Sequence, residues 1–333
     1  MKKKKLYNVA VVGVGAVGEE LLRVLSERNF PIRKLKVFAR SARQINVDGN
    51  SYDVEAINPD GFEGVDIALF AGTEGEKGAS VTYAPEAVKR GAVVIDNGAD
   101  FRMDPDVPLV VPEVNPKDAK KYRKKGIIAN PNCSTIQMVV ALGPLHKEFK
   151  LKRIIASTYQ AVSGAGRSAI KQLKDELEGR NPEVKAFVHK IAMNVIPQIG
   201  SFGEYDYTSE EWKMVKETHK ILHNNKIKIS STTVRVPVRT GHSEAIYIEL
   251  KKDASLDQVR NLLKDSPGIE LIDDSKENYP LPIDSEGKDA VYVGRIRQDP
   301  YVKNAFWLWV VSDNLRKGAA LNAIQIAELL IAK

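Results

Sequence analysis

Cys133 is the only cysteine among 333 residues, in the run Ile128-Ala129-Asn130-Pro131-Asn132-Cys133-Ser134-Thr135-Ile136-Gln137, where an apolar strand pattern gives way to a helical one. A thiol at a helix start faces unpaired backbone N–H groups and the positive end of the helix dipole. Both favour thiolate, the reactive form. Pro131 cannot continue the strand, Asn132 suits a cap or turn, and Ser134 and Thr135 put two hydroxyls in the first turn beside the sulfur. A lone cysteine is otherwise a small buried hydrophobe; these neighbours favour a nucleophile.

A thiolate that attacks a carbonyl can pass through a thiohemiacetal to a thioester if a dinucleotide removes hydride. The oxygen and the thiol then need a proton carrier, and histidine suits that role near neutral pH. Of five histidines, His146 follows the nucleophile, and His189, His219 and His223 lie in charged helical stretches that read as solvated. His242 differs, because it follows Arg235-Val236-Pro237-Val238-Arg239-Thr240-Gly241 at a turn between two strand patterns.

The dinucleotide signal is Gly13-Val14-Gly15-Ala16-Val17-Gly18. G-x-G-x-x-G is weak as a bare pattern and can mark a structural turn. Here it lies between a strand and a helix, the context in which glycines make a tight turn and let a pyrophosphate approach amides at the helix start. An acidic residue about 20 positions on would accept from the ribose 2′-OH of NAD, whereas arginine accommodates the 2′-phosphate of NADP. The chain carries Phe38-Ala39-Arg40-Ser41-Ala42-Arg43 there, so NADP is favoured over a merely solvated basic loop.

Periodicity supplies the elements that must hold these groups. Residues 7–13 form a β-branched strand, and 15–26 show helical spacing of Val17, Leu21, Leu22 and Leu25. Strands follow at 35–39, 65–70, 92–96 and 126–129, separated by helical stretches that include 85–90, as in a parallel sheet with helices on its faces. Beyond the helix after Cys133 the strands at 153–160, 227–237, 242–251, 290–296 and 305–311 are longer and alternating, which predicts an antiparallel sheet with one solvated face. Residues 318–332 form an amphipathic helix with Leu321, Ile324, Ile326, Leu329 and Leu330 apolar.

Composition is that of a globular protein, 43% hydrophobic and 28% charged, with no apolar run near the ~20 residues that span a bilayer. The net charge of +7 comes largely from dispersed lysines with acids nearby, which predicts a solvated surface and a basic cleft for anions rather than nucleic-acid binding. The lysines at the amino end lead into a glycine loop without a cleavage-site pattern, and one cysteine excludes an intramolecular disulfide and argues against a thiolate metal site. The expectation is a cytoplasmic protein with no membrane partner and no bound metal.

Asn130-Pro131-Asn132-Cys133-Ser134-Thr135-Ile136-Gln137, Tyr159-Gln160-Ala161-Val162-Ser163-Gly164-Ala165-Gly166, and Arg235 with His242 seven positions later together resemble the aspartate-β-semialdehyde dehydrogenase family. Phe101-Arg102-Met103, Val110-Val111-Pro112-Glu113-Val114-Asn115, Glu210-Glu211-Trp212-Lys213, Val293-Gly294-Arg295-Ile296-Arg297 and Ser312-Asp313-Asn314-Leu315 extend the resemblance over nearly the whole chain. It implies an α/β fold: a Rossmann-like NADP-binding domain (1–132 with 315–333, the last helix returning to it) and an α+β catalytic and dimerisation domain (133–314) with a mainly antiparallel sheet. The implied reaction interconverts L-aspartate 4-semialdehyde, inorganic phosphate and NADP⁺ with L-aspartyl-4-phosphate and NADPH, in biosynthesis of lysine, threonine, methionine and isoleucine. A homodimer is implied as well.

By matching positions, the resemblance makes Cys133 the nucleophile, His242 the acid/base and Gln160 the residue that orients the thiohemiacetal. Arg235 would pair with the substrate carboxylate, Glu210 would receive the amino group, and Arg102, Asn132 and Lys213 would hold phosphate. These types suit the physics, since a guanidinium pairs bidentately with a carboxylate and two cations with an amide suit a phosphate. Cofactor contacts would come from Gly13, Val14, Gly15, Ala16, Val17 and Gly18 at the pyrophosphate, Arg40 and Ser41 at the 2′-phosphate, and Gly72, Ser163, Gly164 and Asn314 at the nicotinamide side.

The stretch 166–197, part of the dimer surface in relatives, is shorter here than in many of them, and Ala71-Gly72-Thr73 and Gly98-Ala99-Asp100 depart from the family's wording. N-acetyl-glutamyl-phosphate reductase shares the architecture and a Cys/His pair, but has Gly after Asn-Pro and an aromatic after Cys where this chain has Asn132 and Ser134. An inactive paralogue serving as a binding protein would not need Cys133, Gln160, Arg235 and His242 together.

Overall fold

The computed structural model describes residues 5–72, 78–273 and 277–332; Thr73 and the lysines at 2–4 lie outside them. The chain divides into two compact units, Met1–Pro131 with Ala319–Lys333, and Asn132–Gly318.

The first unit contains β1 (Tyr7–Val12), α1 (Ala16–Glu27), β2 (Ile32–Ala39), β3 (Arg43–Val47), β4 (Asn50–Ala56), β5 (Ile67–Phe70), α2 (Ala79–Lys89), β6 (Val93–Asp96) and β7 (Ile127–Ala129). Its sheet runs β3-β4-β2-β1-β5-β6-β7, parallel except that β3 pairs antiparallel with β4. Strands β5 and β6 are buried throughout, as expected of central parallel strands covered on both faces, and the short edge strand β7 is buried as well.

Two features here depart from the sequence reading. The β3–β4 hairpin is absent from it, because Arg43-Gln44-Ile45-Asn46-Val47 is a polar edge strand in which only alternate residues turn inward. The signal was the Asp48-Gly49 pair, both residues at positive φ, between strands of alternating hydrophobicity. Helix α2 also begins six residues before 85, the start of the helical stretch read from the sequence, and carries Pro85 inside it.

The second unit contains α3 (Cys133–Phe149), β8 (Leu151–Gln160), α4 (Arg167–Leu177), α5 (Ser209–Ile221), β9 (Lys228–Arg235), β10 (His242–Leu250), α6 (Leu256–Lys264), β11 (Ile269–Leu271), α7 (Pro282–Ser285), β12 (Val291–Gln298) and β13 (Ala305–Ser312). Its sheet runs β11-β12-β13-β10-β8-β9. The centre is antiparallel, but β8 pairs parallel with β9 and β11 with β12, so the antiparallel expectation holds for the middle of the sheet and not for its edges. Alternation along a strand reports which face is buried, not the direction of its neighbour, so the pattern could not separate the two cases. Helix α3 packs on one face of this sheet. On the other, Ile155 and Tyr159 are two-fifths exposed (39% and 40%).

The closing helix begins as a π turn, Arg316–Ala320, and continues as α8 (Leu321–Ile331). Leu321, Ile324 and Ile326 of α8 join Leu21, Leu25 and Val9 in the core of the first unit. Among the described residues no helix is long and apolar enough to cross a membrane.

Candidate active site

Cys133 is the first residue of α3, and Asn132 caps the helix through its side-chain oxygen, which accepts from Ser134 N at 3.0 Å and Thr135 N at 3.2 Å. The sulfur therefore sits at the helix's positive end. It is partly exposed, whereas the hydroxyls of Ser134 and Thr135 are buried with no hydrogen-bond partner among the described residues. The π turn brings Gly318 against it: a Cβ at Gly318 would lie 2.9 Å from Cys133 Cβ.

The sheet carries the polar candidate groups of this unit in one row. Parallel pairing sets Arg235 on β9 beside Gln160 on β8, and β10 pairs His242 with Ser312 on β13. Between them Gln160 Nε2 lies 3.4 Å from His242 Nε2. Directly opposed residues of neighbouring strands share a face, so four strands present one line of polar side chains.

His242 is fully buried. Burial, and then the charge of Arg235, hold its pKa well below the ordinary histidine value. Ala161 N donates to its Nδ1 at 3.0 Å, which places a lone pair there and the proton of the neutral ring on Nε2, the nitrogen that faces Gln160. The imidazole is thus set to offer a proton at Nε2. A Cβ on Gly164 would come within 3.1 Å of this nitrogen and 2.9 Å of Arg235 Nη1, so only glycine leaves that space open.

Arg235 is buried and donates through Nη1 to Ala161 O at 2.7 Å, while its Nε has no hydrogen-bond partner among the described residues. Burial pushes its pKa down, and attraction to Glu210 and Cys133 opposes that shift. A cation within electrostatic reach of the sulfur supports the thiolate.

Helix α5 presents Glu210. A capping box fixes its first turn: Thr208 Oγ1 accepts from Glu211 N at 3.3 Å, and the Glu211 carboxylate accepts from Thr208 N at 2.7 Å and from Thr233 N on β9 at 3.0 Å. Glu210 Oε1 then accepts from Asn132 Nδ2 at 2.8 Å and Gln160 Nε2 at 3.1 Å, and its Oε2 lies 3.6 Å from Lys213 Nζ. Two turns on, the buried Glu217 accepts from Asn132 N at 2.7 Å. Sequence reasoning missed Glu217; its one signal was the seven-residue spacing from Glu210, which places both on one helix face.

Ser163 and Asn314 hydrogen-bond to each other, at 2.9 Å for Asn314 Nδ2 to Ser163 Oγ, and Asn314 Oδ1 accepts from Gly241 N at the turn before His242.

In the first unit Arg102 is buried, not a surface charge. It donates through Nε to Asn130 O at 2.9 Å and through Nη2 to Asn97 O at 2.7 Å, spanning the ends of β7 and β6. The glycine loop fits a dinucleotide. Gly13 has φ +98°, and a Cβ at Gly18 would lie 1.9 Å from Gly13 O. A Cβ at Gly15 would meet nothing within 4 Å among the described residues, and Gly15 caps α1 with no side-chain hydrogen bond, so the amides of Ala16 and Val17 front an open cradle among those residues. Gly72, at φ +86°, has the Asn97–Gly98 backbone 3.1 Å from its would-be Cβ, which already demands a glycine. Arg40 and Ser41 are exposed beyond β2, where Arg43 Nη1 donates to Ser41 Oγ at 3.3 Å.

A dinucleotide-type parallel sheet in one unit, and in the other a mixed sheet carrying His242, Gln160 and Arg235 beside a helix that starts at Cys133, are the features of a two-domain NAD(P)-binding dehydrogenase. Residues 8–122 match the family described as "Semialdehyde dehydrogenase, NAD binding domain", and 142–317 match "Semialdehyde dehydrogenase, dimerisation domain". The aspartate-semialdehyde dehydrogenase of Aquifex aeolicus is 51% identical over 98% of this chain and 98% of its own length. The crystal structure of aspartate semialdehyde dehydrogenase II from Vibrio cholerae, complexed with ASA, superposes with a TM-score of 0.93 at 45% identity, covering 98% of this chain and 99% of that one. A more distant aspartate semialdehyde dehydrogenase from Candida albicans, solved with NADP, gives 0.75 at 25% identity over 98% and 99%. The chain belongs to the aspartate-semialdehyde dehydrogenase family.

Proposed function

We propose that the protein catalyses the reversible oxidation of L-aspartate 4-semialdehyde to L-aspartyl-4-phosphate with NADP⁺ and inorganic phosphate, running toward the semialdehyde in the cell. The observation that carries this reading is the row of Arg235, Gln160 and His242 in the unit whose α3 starts at Cys133. In the oxidative direction the Cys133 thiolate forms a bond to the aldehyde carbon while the carbonyl electron pair moves to oxygen. His242 Nε2–H and the Gln160 amide hydrogen-bond that oxygen. When bound, the nicotinamide accepts the hydride that leaves this carbon. Phosphate oxygen then attacks the resulting thioester, and the C–S pair returns to sulfur as thiolate.

Arg235 takes the substrate carboxylate, its Nε being the buried donor with no other hydrogen-bond partner among the described residues. Glu210, which already holds Asn132 and Gln160, receives the ammonium group, and Asn132, Lys213 and Arg102 hold phosphate. The open cradle at Gly15 supports a pyrophosphate there, with Arg40 and Ser41 at the 2′-phosphate making NADP the cofactor. Ser163, Gly164, Asn314 and Gly72 serve the nicotinamide side.

The protein acts as a homodimer. The match of 142–317 to a dimerisation domain supports this, as do the aromatic pairs Tyr159–Trp309 and Tyr247–Trp307 on the sheet face away from the catalytic row. A reactive thiol suits a reducing, cytoplasmic compartment. The test is NADPH formation from aspartate semialdehyde with phosphate or arsenate. Turnover that proceeds equally without either anion would overturn the acyl-phosphate reading.

A further inference from the structure

Arg235 is held by more than its strand. Residues 186–196 form a strap that is neither helix nor named strand, yet its backbone is pinned by side chains of α4. Gln172 Oε1 accepts from Ala186 N at 2.7 Å and Phe187 N at 3.0 Å, and Glu176 Oε2 accepts from Ile191 N and Ala192 N, both at 2.8 Å. Gln172 Nε2 closes the ladder by donating to Glu176 Oε1 at 2.8 Å. Four amides that a sheet would otherwise pair are satisfied by two side chains one helical turn apart.

At its far end the strap pairs with Arg235 itself, Ile196 N to Arg235 O at 2.9 Å and Arg235 N to Ile196 O at 2.8 Å. At its near end it lays the Phe187 ring against the Arg235 guanidinium, 5.8 Å from Cζ to the ring centroid. Ala161 O fixes Nη1 in addition, so the guanidinium is constrained at backbone, face and one nitrogen.

We infer that Phe187, delivered by the Gln172–Glu176 ladder, is a positioning residue that aims the Arg235 guanidinium at the substrate carboxylate and so sets preference for a carboxylate-bearing aldehyde. This rests on the reading of Arg235 as the carboxylate partner. A cation over a ring face loses electrostatic attraction when the ring becomes an aliphatic chain of similar bulk. A longer guanidinium excursion then costs the bidentate geometry, and the loss falls on carboxylate recognition rather than on the thiol chemistry.

The experiment compares aspartate semialdehyde with 3-aminopropanal, the same aldehyde without its carboxylate, in wild type, Phe187→Leu, Phe187→Tyr and Arg235→Leu enzyme. Phe187→Leu should raise KM for the semialdehyde roughly 3- to 30-fold while kcat and the KM for phosphate change less than about twofold. Its kcat/KM for 3-aminopropanal should stay at the wild-type value, and Phe187→Tyr, which keeps the ring, should restore the semialdehyde KM. Equal losses on both aldehydes, or no loss on either, would overturn the role of Phe187. If Arg235→Leu fails to weaken the semialdehyde selectively, the carboxylate assignment of Arg235 is what falls, whatever Phe187 does.

Discussion

Glu244 gives a prediction independent of any assay of turnover. It lies on β10 two residues beyond His242, opposite Thr158 on β8 and Val310 on β13, and is completely buried. Neither carboxyl oxygen has a hydrogen-bond partner among the described residues. Nor has Gln137 Nε2, which bears on it from α3 without closing a hydrogen bond. Burial raises the pKa well above the usual carboxyl value, with Gln137 only partly opposing it, so the fold favours the neutral acid at Glu244.

The sign follows from linkage. The unfolded chain releases this proton near the ordinary carboxyl value and the folded chain does not, so stability is full below that value and falls as pH rises toward the raised one. Within the window between the two values the slope is about 1.4 kcal/mol per pH unit. Glu244→Gln has the shape of the neutral acid and cannot ionise, so it should remove this slope. The measurement is urea unfolding by tryptophan fluorescence at several pH values and one protein concentration, wild type against variant. The variant's advantage should grow with pH from about pH 5. Parallel pH–stability curves would refute a buried neutral carboxyl at this position.

Cys133→Ser should keep the fold and dinucleotide binding but lose nearly all turnover, because an alcohol at a helix start does not become an alkoxide as a thiol becomes a thiolate; single-turnover kinetics check it. His242→Asn should lower kcat by about 10²- to 10⁴-fold with little change in KM, and a raised KM at normal kcat would make it a binding group instead. Arg40→Ala should shrink the NADP over NAD preference in kcat/KM by roughly tenfold. Because the guanidinium is exposed, that preference should also weaken with salt in wild type; an unchanged ratio would move selectivity to Ser41 or Arg43.

The local chemistry was legible in the chain. Asn132 as a cap, Cys133 at the first helical position and a glycine turn between β1 and α1 all follow from short-range rules, since the groups that decide them lie within a few residues. The parallel core strands were legible because burial on both faces leaves continuous apolar runs. The β3–β4 hairpin was missed although its Asp48-Gly49 turn was visible, because a polar edge strand carries half the apolar signal of a central one.

The site's mutual arrangement was decided only in three dimensions. Gln160 and Arg235 are 75 positions apart, and a parallel β8–β9 pairing, which no residue pattern in either strand specifies, makes them neighbours. The tautomer of His242 depends on the amide of Ala161, and the setting of Arg235 on Phe187 from a strap with no periodicity. Sequence determined which groups could react, because reactivity and capping are local. Tertiary structure decided which of them meet and in which protonation state, because strand register, burial and the electrostatic field at a buried atom are sums over residues distant in the chain.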